Sequence, residues 1–285
     1  MNDSPIGLIG VGLLGTALAE RMLAARLRVV GYDVRTERGE HLRSLGGELA
    51  PRAADVVARC DSIVLCLPDS RTVASEIGEV GDVLTSGTLI IDATTGDPAD
   101  TEAIASSLAG RGIGYIDATI AGSSEQARRG EAAAIIGGSG DDVERAERVL
   151  ASWTDRRFHV GTVGSGARLK LVVNLVLGLN RAVLAEALSL AKACGIDQAA
   201  ALEVLKATPA YSSVMDTKGQ KMIAREFSPQ ARLAQHLKDV RLIRELAARH
   251  GASAPLTELH EAILRKAVDL GYGEADNSAV IAAFG

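Results

Sequence analysis

At 285 residues, 47% of them hydrophobic, the chain is long enough to bury one large core or two moderate ones, which excludes disorder as its dominant state. Its net charge of -5 is scattered along the sequence without an extended basic surface, which argues against a nucleic-acid partner. Cys60, Cys66 and Cys194 lack the close spacing of a metal knuckle or redox pair and read as small buried residues in a reducing cytoplasm.

The first element in chain order is the apolar run Ile6–Gly10, which follows Met1 too directly for a signal peptide and reads as a strand. Short β-branched runs then alternate with longer amphipathic segments: strands are expected at 28–32, 62–67, 88–92, 114–117, 133–136 and 158–160. This rhythm predicts an α/β, Rossmann-type doubly wound parallel sheet over residues 1–162.

After Gly161 the pattern changes. A long helix is expected over 167–193, capped by Gly195, with later breaks at Pro209, Pro229 and Pro255. Residues 163–285 therefore read as an all-α C-terminal domain for substrate and oligomerisation. The apolar stretch Leu171–Leu179 contains Asn174 and is shorter than the roughly 20 residues that cross a bilayer, so no membrane span is expected. The long helix is apolar around most of its circumference, more than one small domain can cover, which predicts a homodimer or homotetramer through the helical domain.

The first strand leads into Gly10-Val11-Gly12-Leu13-Leu14-Gly15 and then into a good helix former. That context puts glycine where the turn is tight, where backbone approaches a pyrophosphate and where helix presses on strand, so dinucleotide binding is expected. Asp33, at the end of the second strand, is placed to accept hydrogen bonds from the adenosine ribose and to repel a 2'-phosphate, which favours NAD. Arg35 stands either as a solvated helix-entry charge or as a clamp for that phosphate, which keeps NADP as the alternative.

Further on, Lys170 and Asn174 lie one turn apart on one face of an otherwise apolar helix. A helix lysine is usually solvated, but here burial is expected, and a buried ammonium adjusts its pKa toward the range useful for proton transfer.

The chain resembles the β-hydroxyacid dehydrogenase family, which includes 3-hydroxyisobutyrate dehydrogenases and tartronate semialdehyde (glyoxylate) reductases. The resemblance runs through the N-terminal glycine turn, Leu67-Pro68, the Asp92-Ala93-Thr94-Thr95 to Pro98 turn, Asp117–Gly130, Gly164-x-Gly166-x-x-x-Lys170-x-x-x-Asn174, Lys238-Asp239 and Gly273–Ala279. It implies an NAD(P)-dependent oxidoreductase acting on a small carboxylate, with Lys170 as general acid/base and Asn174 holding substrate. By the same resemblance Leu67, Pro68, Thr95 and Lys238 bind the cofactor, Thr95 near the nicotinamide and Lys238 reaching the active site from the helical domain; the other reading of Lys238 is a surface charge beside Asp239.

One segment departs from the family. Many relatives read Asp-x-Pro-Val-Ser-Gly-Gly where this chain reads Asp117-Ala118-Thr119-Ile120-Ala121-Gly122-Ser123-Ser124, so Ala121 replaces a hydroxyl that binds substrate. Backbone N–H groups at Gly122 and Ser123, with the hydroxyls of Ser123 or Ser124, are then the candidates to receive a carboxylate, although Ser124 reads equally as a helix N-cap. No metal site is expected, since the five histidines do not cluster in sequence. An imine reductase and a catalytically weak dinucleotide-binding sensor or assembly protein are the competing readings.

Overall fold

A computed structural model describes residues 4 to 285 and divides the chain into two compact units, the first ending at Lys170 and the second spanning Leu171–Gly285. The boundary falls inside one long helix.

In the first unit, strands β1 (Ile6–Ile9), β2 (Val29–Tyr32), β3 (Glu48–Leu49), β4 (Ser62–Leu65), β5 (Leu89–Asp92), β6 (Gly114–Ala121), β7 (Ala133–Gly137) and β8 (Arg157–His159) form one sheet in the order β3-β2-β1-β4-β5-β6-β7-β8. Helices α1 (Leu13–Ala24), α2 (Thr36–Ser44), α3 (Ala53–Val57), α4 (Ser70–Glu79), α5 (Pro98–Ala109), α6 (Ser124–Arg128) and α7 (Gly140–Trp153) connect them. The strands are apolar on both sides because both sides are covered. Leu8, Val29, Val64, Leu89 and Ile91 enter one core, while Ile9, Val30, Ile63, Leu65 and Ile90 enter a second.

Three features differ from the sequence reading. The two-residue β3 carries too little pattern to be recognised. β6 continues four residues past Asp117, and that extension pairs antiparallel with β7, so the sheet is mixed. Cys194 is exposed, whereas Cys60 is buried and its thiol is pushed up to about 11 by that burial.

The second unit begins within α8 (Ser165–Ala193) and continues through α9 (Gln198–Lys206), α10 (Gln220–Ala224), α11 (Leu233–Arg249) and α12 (Pro255–Ala267) to a final 3-10 turn at Asn277–Phe284. Leu184, Ala185 and Leu188 of α8 pack with Leu202, Leu237, Val240, Leu264 and Ile281. By length and composition α8 is sufficient to cross a membrane, which a count limited to Leu171–Leu179 missed. Its buried face carries Lys170, Asn174 and Arg181 beside those core leucines, the make-up of a core helix. The opposite side is not covered: Val172, Val176, Val183 and Leu190 are between 52% and 63% exposed.

Asp276 is the polar hub of this unit. Its carboxylate accepts from Lys218 Nζ (2.8 and 2.9 Å), from the backbone N–H groups of Gln230 and Ala231, and from the N–H and hydroxyl of Ser278. Burial opposes its charge, but Lys218 and these donors outweigh burial and hold the carboxyl at about 2 against an ordinary 3.8. A depressed folded-state pKa contributes stability that is fully present above the ordinary carboxylate range and is lost as pH falls from about 4 toward 2. Urea unfolding should therefore show a smaller loss of stability across that window for Asp276→Asn than for the wild type. At neutral pH, breaking the buried pair with Asp276→Ala should cost about 3–5 kcal/mol.

Candidate functional site

The strand order reverses between β1 and β4, which run parallel, and the strands there end level: Ile9 stands opposite Tyr32 and Leu65, and Leu65 opposite Asp92. In an open α/β sheet the crevice beyond such carboxyl ends, at the switch point, receives the ligand. The glycine turn lies there, and each glycine has a distinct reason. Gly10 adopts φ +97°, and a Cβ on it would sit 2.3 Å from the Cys66 carbonyl oxygen. A Cβ on Gly15 would lie 2.0 Å from the Gly10 carbonyl, so only glycine lets α1 pack on the turn. Gly12 faces open space, where the nearest atom to a Cβ would be Arg38 Nη1 at 3.6 Å. Leu13 and Leu14 follow as the first residues of α1, whose N-terminal N–H groups are suited to receive an anion. This is a cradle that fits the pyrophosphate of a nicotinamide dinucleotide.

Asp33 is fixed beside this turn. Its Oδ2 accepts from Val11 N (2.8 Å) and its Oδ1 from Arg35 N (2.9 Å), leaving lone pairs on both oxygens. Arg35 itself is exposed at the N-cap position of α2. The guanidinium facing Asp33 is that of Arg38, with Nη1 3.5 Å from Oδ2. Arg38 was missed in the sequence; the available signal was an arginine in the first turn of the helix that follows the strand-end acid.

At the ends of β4 and β5, Leu67 N donates to Thr94 Oγ1 (3.1 Å) and Thr94 N to Asp92 Oδ1 (2.9 Å). Buried Thr94 thus braces the strand ends, while Thr95 is half-buried and Pro68 exposed. Asp92 receives the Tyr115 hydroxyl at 2.6 Å. Its neighbour in register, Asp117, accepts from Gly164 N (2.7 Å) and Ala167 N (2.6 Å), which ties β6 to the first turn of α8. Burial pushes the Asp117 carboxyl up to about 6, with these two donors opposing the shift.

Most of the segment read as a substrate loop is strand. Ala121 ends β6, Gly122 is exposed, and Ser123, not Ser124, caps α6. Ser123 Oγ accepts from Gln126 N and Ser123 N donates to Gln126 Oε1, a closed capping box that leaves the Ser123 hydroxyl hydrogen uncommitted by the cap. Ser124 is the first residue of the helix.

Lys170 and Asn174 are both buried, 6% and 8% exposed, on one face of α8. Within the second unit Asn174 Nδ2 donates to Asp239 Oδ2 (2.9 Å), and Lys238 Nζ lies 3.1 Å from Asp239 Oδ1. Asp239, read in the sequence only as a partner for Lys238, is thus the group that joins Lys238 to Asn174. Nearby, Gly178 admits the buried rings of His236 and His260, whose centroids are 5.3 Å apart. The His260 imidazole is pushed down to about 4, chiefly by burial and then by the charge of Arg181. Among the described residues no group of His, Cys, Asp or Glu side chains is arranged to hold a metal ion.

The sheet and glycine cradle define a dinucleotide-binding protein, and comparison with known proteins narrows the class. Residues 5 to 161 match the family model for the NAD binding domain of 6-phosphogluconate dehydrogenase. Residues 164 to 284 match the model described as NAD-binding of NADP-dependent 3-hydroxyisobutyrate dehydrogenase. The chain is 30% identical over 280 residues to 2-(hydroxymethyl)glutarate dehydrogenase of Eubacterium barkeri, covering 97% of this chain and 93% of that one. It is 29% identical to the cytokine-like nuclear factor N-PAC of Anopheles gambiae, spanning 96% of this chain but only 49% of that protein. The fold is shared with a 3-hydroxyisobutyrate dehydrogenase from Salmonella typhimurium, with TM-score 0.91 at 24% identity over 98% of this chain and 99% of that one. The chain belongs to the NAD(P)-binding hydroxyacid dehydrogenase family and is an NAD(P)-dependent oxidoreductase acting on CH–OH groups.

The different surroundings of the glycines give a direct test. Gly12→Val should leave the melting temperature close to wild type and lower dinucleotide affinity at least about a hundredfold, since the new side chain occupies the phosphate approach. Gly15→Ala should instead destabilise the fold itself. Calorimetric titration with NAD alongside thermal unfolding separates the two effects.

Proposed function

We propose that the protein interconverts a small β-hydroxy acid and the corresponding aldehyde or keto acid, with Lys170 as general acid/base. The observation that carries this reading is the buried cation and amide, Lys170 and Asn174, one turn apart on α8. When bound, the nicotinamide supplies hydride transfer. The chain's own residues hold it and move the proton. Gly10, Gly12, Leu13, Leu14 and Gly15 receive the pyrophosphate, and Asp33 accepts from the ribose hydroxyls, which favours NAD over NADP. Arg38, rather than Arg35, is the cation able to meet a 2'-phosphate, so some NADP use is expected. Leu67, Pro68 and Thr95, at the ends of β4 and β5, lie toward the nicotinamide.

In oxidation Lys170 takes the hydroxyl proton, directly or through a water, and returns it in reduction. One of the two Asn174 amide hydrogens is committed to Asp239, which orients the amide and leaves its carbonyl oxygen to accept from a hydroxyl or ammonium hydrogen and its second N–H to donate. Lys238 completes this group as a cation held beside Asp239. Gly122, Ser123 and Ser124 offer donors to the substrate carboxylate, a role weakened by the closed cap at Ser123. In this reading residues 1–162 bind the dinucleotide and 163–285 serve substrate and assembly. A residual lysine is needed for this proton transfer and not for a sensor, which sets the competing readings apart by turnover.

Lys170→Met should lower turnover of 3-hydroxy acids by about three orders of magnitude or more while NAD affinity stays within a few-fold, a pattern read from cofactor absorbance and calorimetry together. Near wild-type turnover would remove Lys170 from the reaction.

We also propose that the exposed stripe Val172, Val176, Val183 and Leu190 is covered by a second copy of the chain, because a contiguous apolar face of this length is uncommon on a monomer. Val176→Glu with Val183→Glu should yield a folded monomer by sedimentation velocity, where the wild type sediments as a dimer or tetramer.

A further inference from the structure

Each buried carboxylate of the second unit has a cation at ion-pair distance: Asp276 has Lys218, Asp239 has Lys238 together with the Asn174 amide, and Glu261 has Arg241, Arg244 and Arg265. Arg181 is then left over. It is 8% exposed, and among the described residues it makes no hydrogen bond and stands at ion-pair distance from no carboxylate. It feels the charges of Asp276 and Asp239 at longer range, while burial pulls its pKa down to about 10. His260 beside it offers no countercharge and is itself held neutral. A guanidinium carries five donors in a planar fork and matches a carboxylate, sulfonate or phosphate in two-point contact.

The position of Arg181 says which anion. Seven residues separate it from Asn174, about 10.5 Å along the axis, and seven residues bring the helix back to nearly the same face. Long helical side chains lean toward the N-terminus, which here is toward Asn174; of the two carboxylates that act on Arg181 at longer range, Asp276 is the stronger and Asp239, the partner of Asn174, the second. We propose that Arg181 receives a second acidic group of the substrate, so that the preferred substrate is a bifunctional hydroxy acid carrying an acid group at the end remote from its reacting carbon. This inference rests on the reading of Asn174 as a substrate contact; it adds the class of substrate that site selects.

The test uses binding first and turnover second. NAD-loaded wild type, Arg181→Met and Arg181→Lys are titrated calorimetrically with succinate, glutarate, adipate and the monoacid butyrate. The wild type should bind at least one of the dicarboxylates at least tenfold more tightly than butyrate, Arg181→Met should abolish that ratio, and Arg181→Lys should keep part of it. No preference in the wild type, or a ratio unchanged in Arg181→Met, overturns the proposal. Arg181→Met should also melt at or above the wild-type temperature, since it removes a cation without a partner. A large fall in melting temperature would mean that Arg181 is a structural ion-pair member, and dissociation of the oligomer would mean that a neighbouring copy supplies the anion; either result overturns the proposal. If dicarboxylates bind through Arg181 but no hydroxy acid is oxidised, the anion site stands and the assignment of Lys170 falls.

Discussion

Much of the arrangement depends on one buried carboxylate. Asp117 sits in the middle of β6 and receives two backbone N–H groups from the start of α8, so the first turn of that helix is tied to a central strand of the sheet. The attachment is tight enough to demand glycine on both sides. A Cβ on Gly137 or Gly166 would meet an Asp117 carboxylate oxygen at 2.6 or 2.7 Å. Lys170 follows Ala167 by three residues, so the point at which its helix leaves the sheet is set by this pair of hydrogen bonds. The elevated Asp117 pKa is the cost of burying a charge at that joint, and it places the titration of the joint near pH 6.

A second principle organises the other end of α8. Its buried face is apolar except for a column of Lys170, Asn174 and Arg181, spaced by four and seven residues, with Gly178 making room for two imidazoles between them. Each polar group in a core must be answered by a partner or by a ligand. Asn174 is answered by Asp239. The lysine of the Asp276 hub is likewise answered, whereas Arg181 has no carboxylate at ion-pair distance among the described residues. The outward face of the same helix makes the complementary statement in apolar terms, since four large aliphatic side chains exposed along it favour a covering surface.

Much of this was readable in the residues. Strand positions came from short β-branched runs, and their boundaries held to within one or two residues where glycine or proline ended them, as at Gly10 and Pro68. β6 was read short because Thr119-Ile120-Ala121 resembled a loop segment, and only its pairing with β7 makes it strand. The glycine turn was legible because backbone geometry restricts the residue type. Arg38 and Asp239 were not, because what they do depends on which side chain the fold brings against them: Arg38 reaches Asp33 across a turn, and Asp239 meets Asn174 from 65 residues away. The choice between Ser123 and Ser124 as the cap was equally beyond the sequence, since both precede the same helix and only the geometry of the capping box decides.

The most direct measurement is a crystal structure of the protein with NAD and a hydroxy acid bound together. The account requires Lys170 Nζ to lie within about 3.2 Å of the substrate hydroxyl oxygen, or to reach it through a single water, with the reacting carbon facing the nicotinamide. An ammonium directed away from that oxygen, with another side chain in hydrogen-bond contact with it, would contradict the account.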